Sequence, residues 1–61
     1  MKLIQNKIYK TKVSYDGLGI GTEVIFKWMS DKWAVCNPVG EPSIQDSRCF
    51  LPEELEEIDN D

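Results

Sequence analysis

The chain has 61 residues and a formal net charge of −4. This length leaves room for one core, so we expect a single domain over residues 1–58 and a frayed acidic C-terminus over residues 59–61. The chain has no run of the about 20 apolar residues that a transmembrane helix needs, and no apolar segment typical of a signal peptide. We therefore expect a soluble, cytoplasmic protein that does not contact a membrane.

The composition argues against an enzyme. The chain has no histidine, so it lacks the commonest general base and the commonest nitrogen ligand for metals. Cys36 and Cys49 are too few for a structural zinc site and lack Cys-x-x-C spacing. The glycines at 17, 19 and 21 do not match a phosphate-binding or dinucleotide-binding motif and favour a turn. We expect no catalytic residue, cofactor, metal or small-molecule substrate, because so small a domain cannot form a deep cavity.

The number of cysteines also favours a cytoplasmic location. A small secreted chain usually carries more cysteines than two, so we expect Cys36 and Cys49 to be free thiols. A disulfide between them is the alternative, since they fall on separate predicted strands.

In chain order, the first periodic segment predicts a half-buried β-strand over residues 7–15. Its predicted inner residues are Tyr9, Thr11, Val13 and Tyr15. Its predicted outer residues are Lys10, Lys12 and Ser14. The glycine-rich segment over residues 16–21 then predicts a loop, since each glycine would cost about 1 kcal/mol in a helix.

A β-hairpin is predicted next, with strands over residues 22–29 and 32–37 and a tight turn at Ser30 and Asp31. Val24, Phe26 and Trp28 alternate along the first of these strands and are expected to share one face. Trp33 and Val35 are the large apolar residues of the second.

The remainder of the chain predicts a loop over residues 37–46, a short strand over residues 47–51 and a helical turn that begins at Pro52. The fold class is therefore all-β, with four to five short antiparallel strands that close into a small barrel to hide their edges. The predicted core residues are Tyr9, Val13, Val24, Phe26, Trp28, Trp33, Val35, Phe50, Leu51, Leu55 and Ile58.

Four segments give the chain a resemblance to SH3-like barrels. The segments 15–17 and 21–26 resemble the start of the long first loop of that family and the strand that leaves it. The segment 31–35 resembles the next strand with its leading Trp. The segment 50–58, FLPEELEEI, is similar to the closing strand, 3₁₀ turn and last strand of small SH3-like proteins of bacteria and their viruses.

The resemblance implies a peptide groove built from aromatic side chains. Carried over by position, the aromatic of the first loop is Tyr15 and the leading Trp is Trp33, whereas Leu55 stands where the family has a Tyr. Trp28 and Trp33 flank the same predicted turn, so one of the two is a candidate for a surface position instead of the core, and an exposed Trp is a suitable interface anchor. Tyr15, Trp33 and Trp28 are therefore the candidate residues for binding another protein.

The charge distribution supports an alternative. Lys7, Lys10 and Lys12 lie in the first predicted strand, within an N-terminal segment that has no acidic residue. A strand of this kind can follow a nucleic-acid backbone. Six of the eleven acidic residues follow Pro52, where no basic residue occurs. The sequence thus predicts a non-enzymatic binding module, with protein binding as the first hypothesis and nucleic-acid binding as the second.

Overall fold

The structure, a computed structural model, describes residues 2–58 and is an antiparallel β-sheet with two single 3₁₀ turns. The strands are β1 (Ile8–Thr11), β2 (Glu23–Ser30), β3 (Trp33–Pro38), β4 (Arg48–Phe50) and β5 (Leu55–Glu57), and the 3₁₀ turns are Ile44–Asp46 and Pro52–Glu54. The strand order is β4-β3-β2-β1-β5, with every neighbouring pair antiparallel. The predicted all-β class is confirmed, whereas the sheet keeps two edges, β4 and β5, and is not closed.

No helix among residues 2–58 is long and apolar enough to cross a membrane. The predicted frayed end, residues 59–61, lies outside the described residues.

The β2–β3 hairpin is the longest pairing in the sheet. Ser30 pairs with Trp33, so the two turn residues are Asp31 and Lys32, one position later than the sequence predicted. Asp31 has φ of +57°, the left-handed conformation that tight hairpin turns require and that Asp tolerates better than most residues.

A β-bulge interrupts this hairpin at Lys27. Phe26 pairs with Cys36 and Trp28 pairs with Val35, so two steps along β2 correspond to one step along β3. The prediction that Phe26 and Trp28 share a core face is therefore wrong. Phe26 is buried in the core, whereas 44% of the Trp28 surface is exposed.

The first strand is shorter than predicted, because β1 ends at Thr11. The chain leaves the sheet at Thr11, whose side chain forms two hydrogen bonds with the end of the following loop. The buried Oγ1 donates a hydrogen bond to the Gly19 carbonyl (3.0 Å) and accepts one from the Thr22 amide (3.1 Å). This hydroxyl joins both ends of the loop that follows, so residues 12–22 form a loop rather than a continued strand.

One hydrophobic core lies on the inner face of the sheet. Its members are Tyr9, Val24, Phe26, Ala34, Cys36, Phe50 and Leu55, with Leu3, Val13 and Leu18 packed at its margin. The hydroxyl of Tyr9 accepts a hydrogen bond from the Ile4 amide (2.8 Å), which satisfies its polar atom.

The predicted core list is correct for the larger central side chains and wrong for both tryptophans. Trp33 is 38% exposed, because it stands on the outer face at the start of β3. Val35 is buried but lies outside the core cluster, and Leu51 and Ile58 are only partly buried.

Both cysteines are free, Cys36 in the core and Cys49 at the surface. Cys49 pairs with Val35 across β3 and β4, whereas Cys36 pairs with Arg48. Because neighbouring residues of a strand alternate between faces, the two thiols lie on opposite sides of the sheet. The expectation of free thiols is met.

Candidate binding groove

The loop over residues 12–22 presents Tyr15 through a miniature hairpin. The Tyr15 amide donates to the Leu18 carbonyl and the Leu18 amide donates to the Tyr15 carbonyl, both at 2.9 Å. The two residues between them, Asp16 and Gly17, have φ of +48° and +86°. An Asp-Gly pair is a preferred sequence for such a turn, since both positions need positive φ. The Asp-Gly pair is the sequence signal for this turn, and the loop predicted over residues 16–21 contains the hairpin turn.

Two contacts fix this hairpin against the sheet. The Arg48 Nε lies 3.0 Å from the Asp16 Oδ2, and the Arg48 Nη1 donates to the Asp46 carbonyl (2.6 Å). The Tyr15 ring meets the Phe50 ring edge to face, with centroids 5.8 Å apart and planes inclined at 73°. Tyr15 is therefore anchored on the core through Phe50, while 49% of its surface remains exposed.

Trp33 is positioned by the hairpin turn that precedes it. Asp31 and Lys32 close the turn, and the Lys32 Nζ lies over the Trp33 ring, 5.5 Å from its centroid. This distance is within the range of a cation–π contact. Trp33 is the first residue of β3, so its backbone is paired in the sheet and fixes the point from which the ring projects.

Tyr15 and Trp33 line one groove of about 370 Å³. The residues lining it are Val13, Ser14, Tyr15, Trp33, Cys49 and Glu54. The walls of the groove are formed by the loop over residues 12–22, by β3, by β4 and by the Pro52–Glu54 turn. The structure thus brings together two of the three residues predicted for protein binding.

The third predicted residue, Trp28, is exposed but does not line the groove. It pairs with Val35, and Val35 pairs with Cys49, so the three residues form a cross-strand row on the outer face. This row connects the groove, through Cys49, to the Trp28 surface. The bulge at Lys27 is the reason that Trp28 lies on the outer face.

Glu54 and Cys49 are groove residues that the sequence did not single out. The Glu54 Oε1 accepts a hydrogen bond from the Leu51 amide (2.9 Å), which caps the 3₁₀ turn and fixes the carboxylate. Leu51 has no polar side chain to return a hydrogen bond, so the Ser/Thr-x-x-Glu signature of a capping box is absent and this cap has no sequence signal. Leu55, in the position of the family's Tyr, is buried and does not line the groove.

The lysines of the alternative hypothesis lie beside acidic side chains. The Lys7 Nζ is 2.8 Å from the Glu57 Oε1. This hydrogen bond raises the pKa of Lys7 above its usual range and lowers that of Glu57. Lys10 pairs with Glu23 on one side and Glu56 on the other.

Lys12 lies beyond β1, where its amide donates to the Glu54 carbonyl (2.7 Å). Lys7 and Lys10 therefore have acidic neighbours, whereas the Lys12 side chain forms no ion pair among residues 2–58.

No protein-family model, characterised protein or solved structure matches this chain significantly.

Proposed function

We propose that this chain is a non-catalytic protein-interaction module that binds an extended segment of a partner protein in the groove between Tyr15 and Trp33. The observation that carries the proposal is the convergence of these two exposed aromatic rings on one groove, although they are far apart in the sequence. Exposed aromatic residues in a groove provide large contact areas at low entropic cost and are common interface anchors.

The fold supports an SH3-like barrel as the class of this module. Strands β1 to β4 form a meander, and β5 returns after the Pro52–Glu54 turn to pair with β1. The closing strand, 3₁₀ turn and last strand thus occur at the residues that carry the resemblance. In this proposal the five-stranded sheet is an open form of such a barrel.

An extended ligand suits the shape of the groove. The groove is an open depression on the surface rather than an enclosed cavity, and its walls come from four separate segments. Aromatic-lined grooves bind extended and polyproline II segments, because these expose side chains without internal hydrogen bonds. The Tyr15 ring packs against Phe50 and Trp33 lies in β3, and such contacts limit the freedom that these residues would lose when a ligand binds.

The acidic neighbours of Lys7 and Lys10 weigh against the nucleic-acid alternative. Binding to phosphates is driven by unpaired basic groups that release counterions. Lys7 is paired with Glu57 and Lys10 lies between two glutamates, so a phosphate backbone would have to displace these acids or approach against their charge.

Selection from a library of displayed random linear peptides tests the proposal. The full chain is the target, and the strongest peptides are synthesised and measured by isothermal titration calorimetry. The matched variants are Trp33→Ala and Tyr15→Ala in the groove, with Ile44→Ala as the control. Ile44 is apolar and 73% exposed but does not line the groove.

We expect peptides whose affinity falls at least about tenfold for Trp33→Ala, as for an interface hot spot, and is unchanged for Ile44→Ala. Circular dichroism must first show that each variant is folded. A library that yields no peptide sensitive to either groove variant would contradict the proposal.

A further inference from the structure

The outer face of the β2–β3 hairpin carries a second apolar cluster, separate from the core. Val35 lies on this face, because its neighbours along β3, Ala34 and Cys36, both point into the core. Only 7% of the Val35 surface is exposed, although Val35 lies outside the core cluster. It pairs with Trp28 of β2 on one side and with Cys49 of β4 on the other. These cross-strand neighbours form an apolar row on the outer face.

The two tryptophans are diagonal neighbours in this cluster. Trp28 lies directly opposite Val35, and Trp33 precedes Val35 by two residues, so all three side chains are on the same face. Positions related in this way are about 7–8 Å apart, which is within reach of large aromatic side chains. Trp33 lines the groove, whereas Trp28 does not. The apolar surface therefore continues from the wall of the groove to Trp28.

We propose that the segment bound in the groove extends past Trp33 and places a large apolar side chain against Trp28. This inference rests on the proposed function and adds a second contact site with the chemistry of its ligand. None of the four cluster residues is acidic or basic, so nothing in the cluster compensates a charged side chain for its lost hydration. A neutral apolar side chain loses least on contact with this surface.

The exposed area of the cluster fits one side chain and not a second copy of this chain. Trp28 is 44% exposed and Trp33 is 38% exposed, so together they present about 200 Å². A stable dimer buries about 800 Å² on each partner. That area would be about a fifth of the 4121 Å² surface of this chain. One large aromatic side chain buries about 150–250 Å², which matches the exposed area of the two tryptophans.

Met29 provides a matched control for Trp28. The two residues are adjacent in β2 and are almost equally exposed, at 45% and 44%. Met29 pairs with Ala34, a core residue, so it lies on the opposite face of the sheet from Trp28. A segment that extends from the groove along the outer face can contact Trp28 without contacting Met29. A difference between Trp28→Ala and Met29→Ala therefore reports the outer face.

The test uses peptides selected on the wild-type chain, each in a full and a truncated form. The truncated form lacks the large apolar residue at one end and still requires Trp33. In isothermal titration calorimetry, Trp28→Ala should weaken the full peptide about tenfold, as for the loss of one interface anchor. It should leave the affinity for the truncated peptide unchanged, and Met29→Ala should change neither. Circular dichroism must first show that both variants are folded.

A second measurement needs no substitution. The chain has two tryptophans, so a ¹⁵N-labelled sample gives two indole N–H signals. The full peptide should shift both signals, whereas the truncated peptide should shift only that of Trp33.

Three results would overturn the inference and are distinguishable from one another. Full peptides that require Trp33 but bind Trp28→Ala as well as wild type, with the Trp28 indole unshifted, would refute the extension and leave the proposed function standing. A dimer of the wild-type chain in sedimentation equilibrium that Trp28→Ala abolishes would assign the patch to a second copy. A library without any Trp33-dependent peptide would refute both the extension and the proposed function.

Discussion

Phe26 and Trp28 lie on opposite faces of β2, although only one residue separates them. The bulge at Lys27 shifts the register by one residue and turns Trp28 from the core face to the outer face. The N-terminal segment contacts the bulge, since the Asn6 amide donates to the Phe26 carbonyl (2.7 Å) and the Lys27 Nζ donates to the Asn6 Oδ1 (3.2 Å).

The bulge predicts different stability effects for its two aromatic neighbours. Phe26→Ala should lower the free energy of unfolding by about 3–5 kcal/mol, because it leaves a cavity in the core. Trp28→Ala should lower it by a smaller amount, about 1–2 kcal/mol, since 44% of the Trp28 surface is already exposed and its removal leaves no enclosed cavity. Urea denaturation measures both, and similar losses for the two variants would contradict the assigned register.

Thr11 supports the groove without lining it, since its hydroxyl joins Gly19 and Thr22 at the base of the Tyr15 loop. Thr11→Val keeps the shape of the side chain and removes both hydrogen bonds. We expect a loss of about 1–2 kcal/mol in the free energy of unfolding, because the Gly19 carbonyl and the Thr22 amide each lose a hydrogen bond to this buried hydroxyl.

Hydrogen exchange distinguishes a local effect of Thr11→Val from a general one. Amides of residues 12–22 should exchange faster than in wild type, while those of the β2–β3 hairpin change only with global stability. Thr22→Ala is a suitable control, because the Thr22 hydroxyl also bonds Gly19 (2.6 Å) but is less buried. Equal exchange throughout the chain would show that Thr11 does not hold the loop.

Asn37 organises the long loop between β3 and β4. Its buried Nδ2 donates to the carbonyls of Glu41 (3.0 Å) and Ser43 (2.7 Å), and its Oδ1 accepts from the Ser47 hydroxyl (3.2 Å). Asn37→Asp replaces the double donor by a carboxylate that faces two carbonyl oxygens. Thermal denaturation should show a loss of about 2–4 kcal/mol at neutral pH, smaller where the acid is protonated and can donate. A loss that is the same at acidic and neutral pH would contradict this role.

The exposed pair Lys7 and Glu57 predicts a pH dependence of stability. The pKa of Glu57 is lowered from 4.5, so its contribution is present above that value and is lost as pH falls through the lowered pKa. The pKa of Lys7 is raised from 10.5, so its contribution is present below that value and is lost as pH rises through the raised pKa. Glu57→Gln should therefore show a smaller decrease in Tm on acidification than wild type, and an equal decrease would contradict the pairing.

The two thiols should differ in reactivity. Burial raises the pKa of Cys36 to about 12, whereas Cys49 is exposed in the groove. Iodoacetamide should alkylate Cys49 in the native protein and reach Cys36 only after denaturation, as mass spectrometry of the digested chain can show. A groove-bound peptide should slow the alkylation of Cys49. Equal rates with and without a saturating peptide would place the peptide elsewhere.

The sequence predicted β2 and β3 to within one residue at each end, because both strands are rich in apolar residues and meet at a recognisable turn. It could not predict the bulge, because Lys27 has no conformational signature that marks an inserted residue. The early end of β1 was also missed, since Val13 and Tyr15 continue the alternation, whereas the buried hydroxyl of Thr11 draws the loop ends together.

The sequence predicted only part of the candidate site. Tyr15 and Trp33 could be paired through the resemblance, because both are aromatic and sit at recognisable positions. Glu54 could not be distinguished from its acidic neighbours, since only the fold shows that Glu54 lines the groove while Glu53 does not.

The central claim, that Tyr15 and Trp33 form one binding groove, is tested most directly by mapping a bound peptide on the ¹⁵N-labelled chain. Two-dimensional NMR would follow each backbone amide and both tryptophan indole N–H groups while a selected peptide is added. We predict the largest shifts at residues 13–15, at the Trp33 indole, and at Cys49 and Glu54, with little change at Ile44. Shifts concentrated on β1 and β5, with the Trp33 indole unmoved, would contradict the claim.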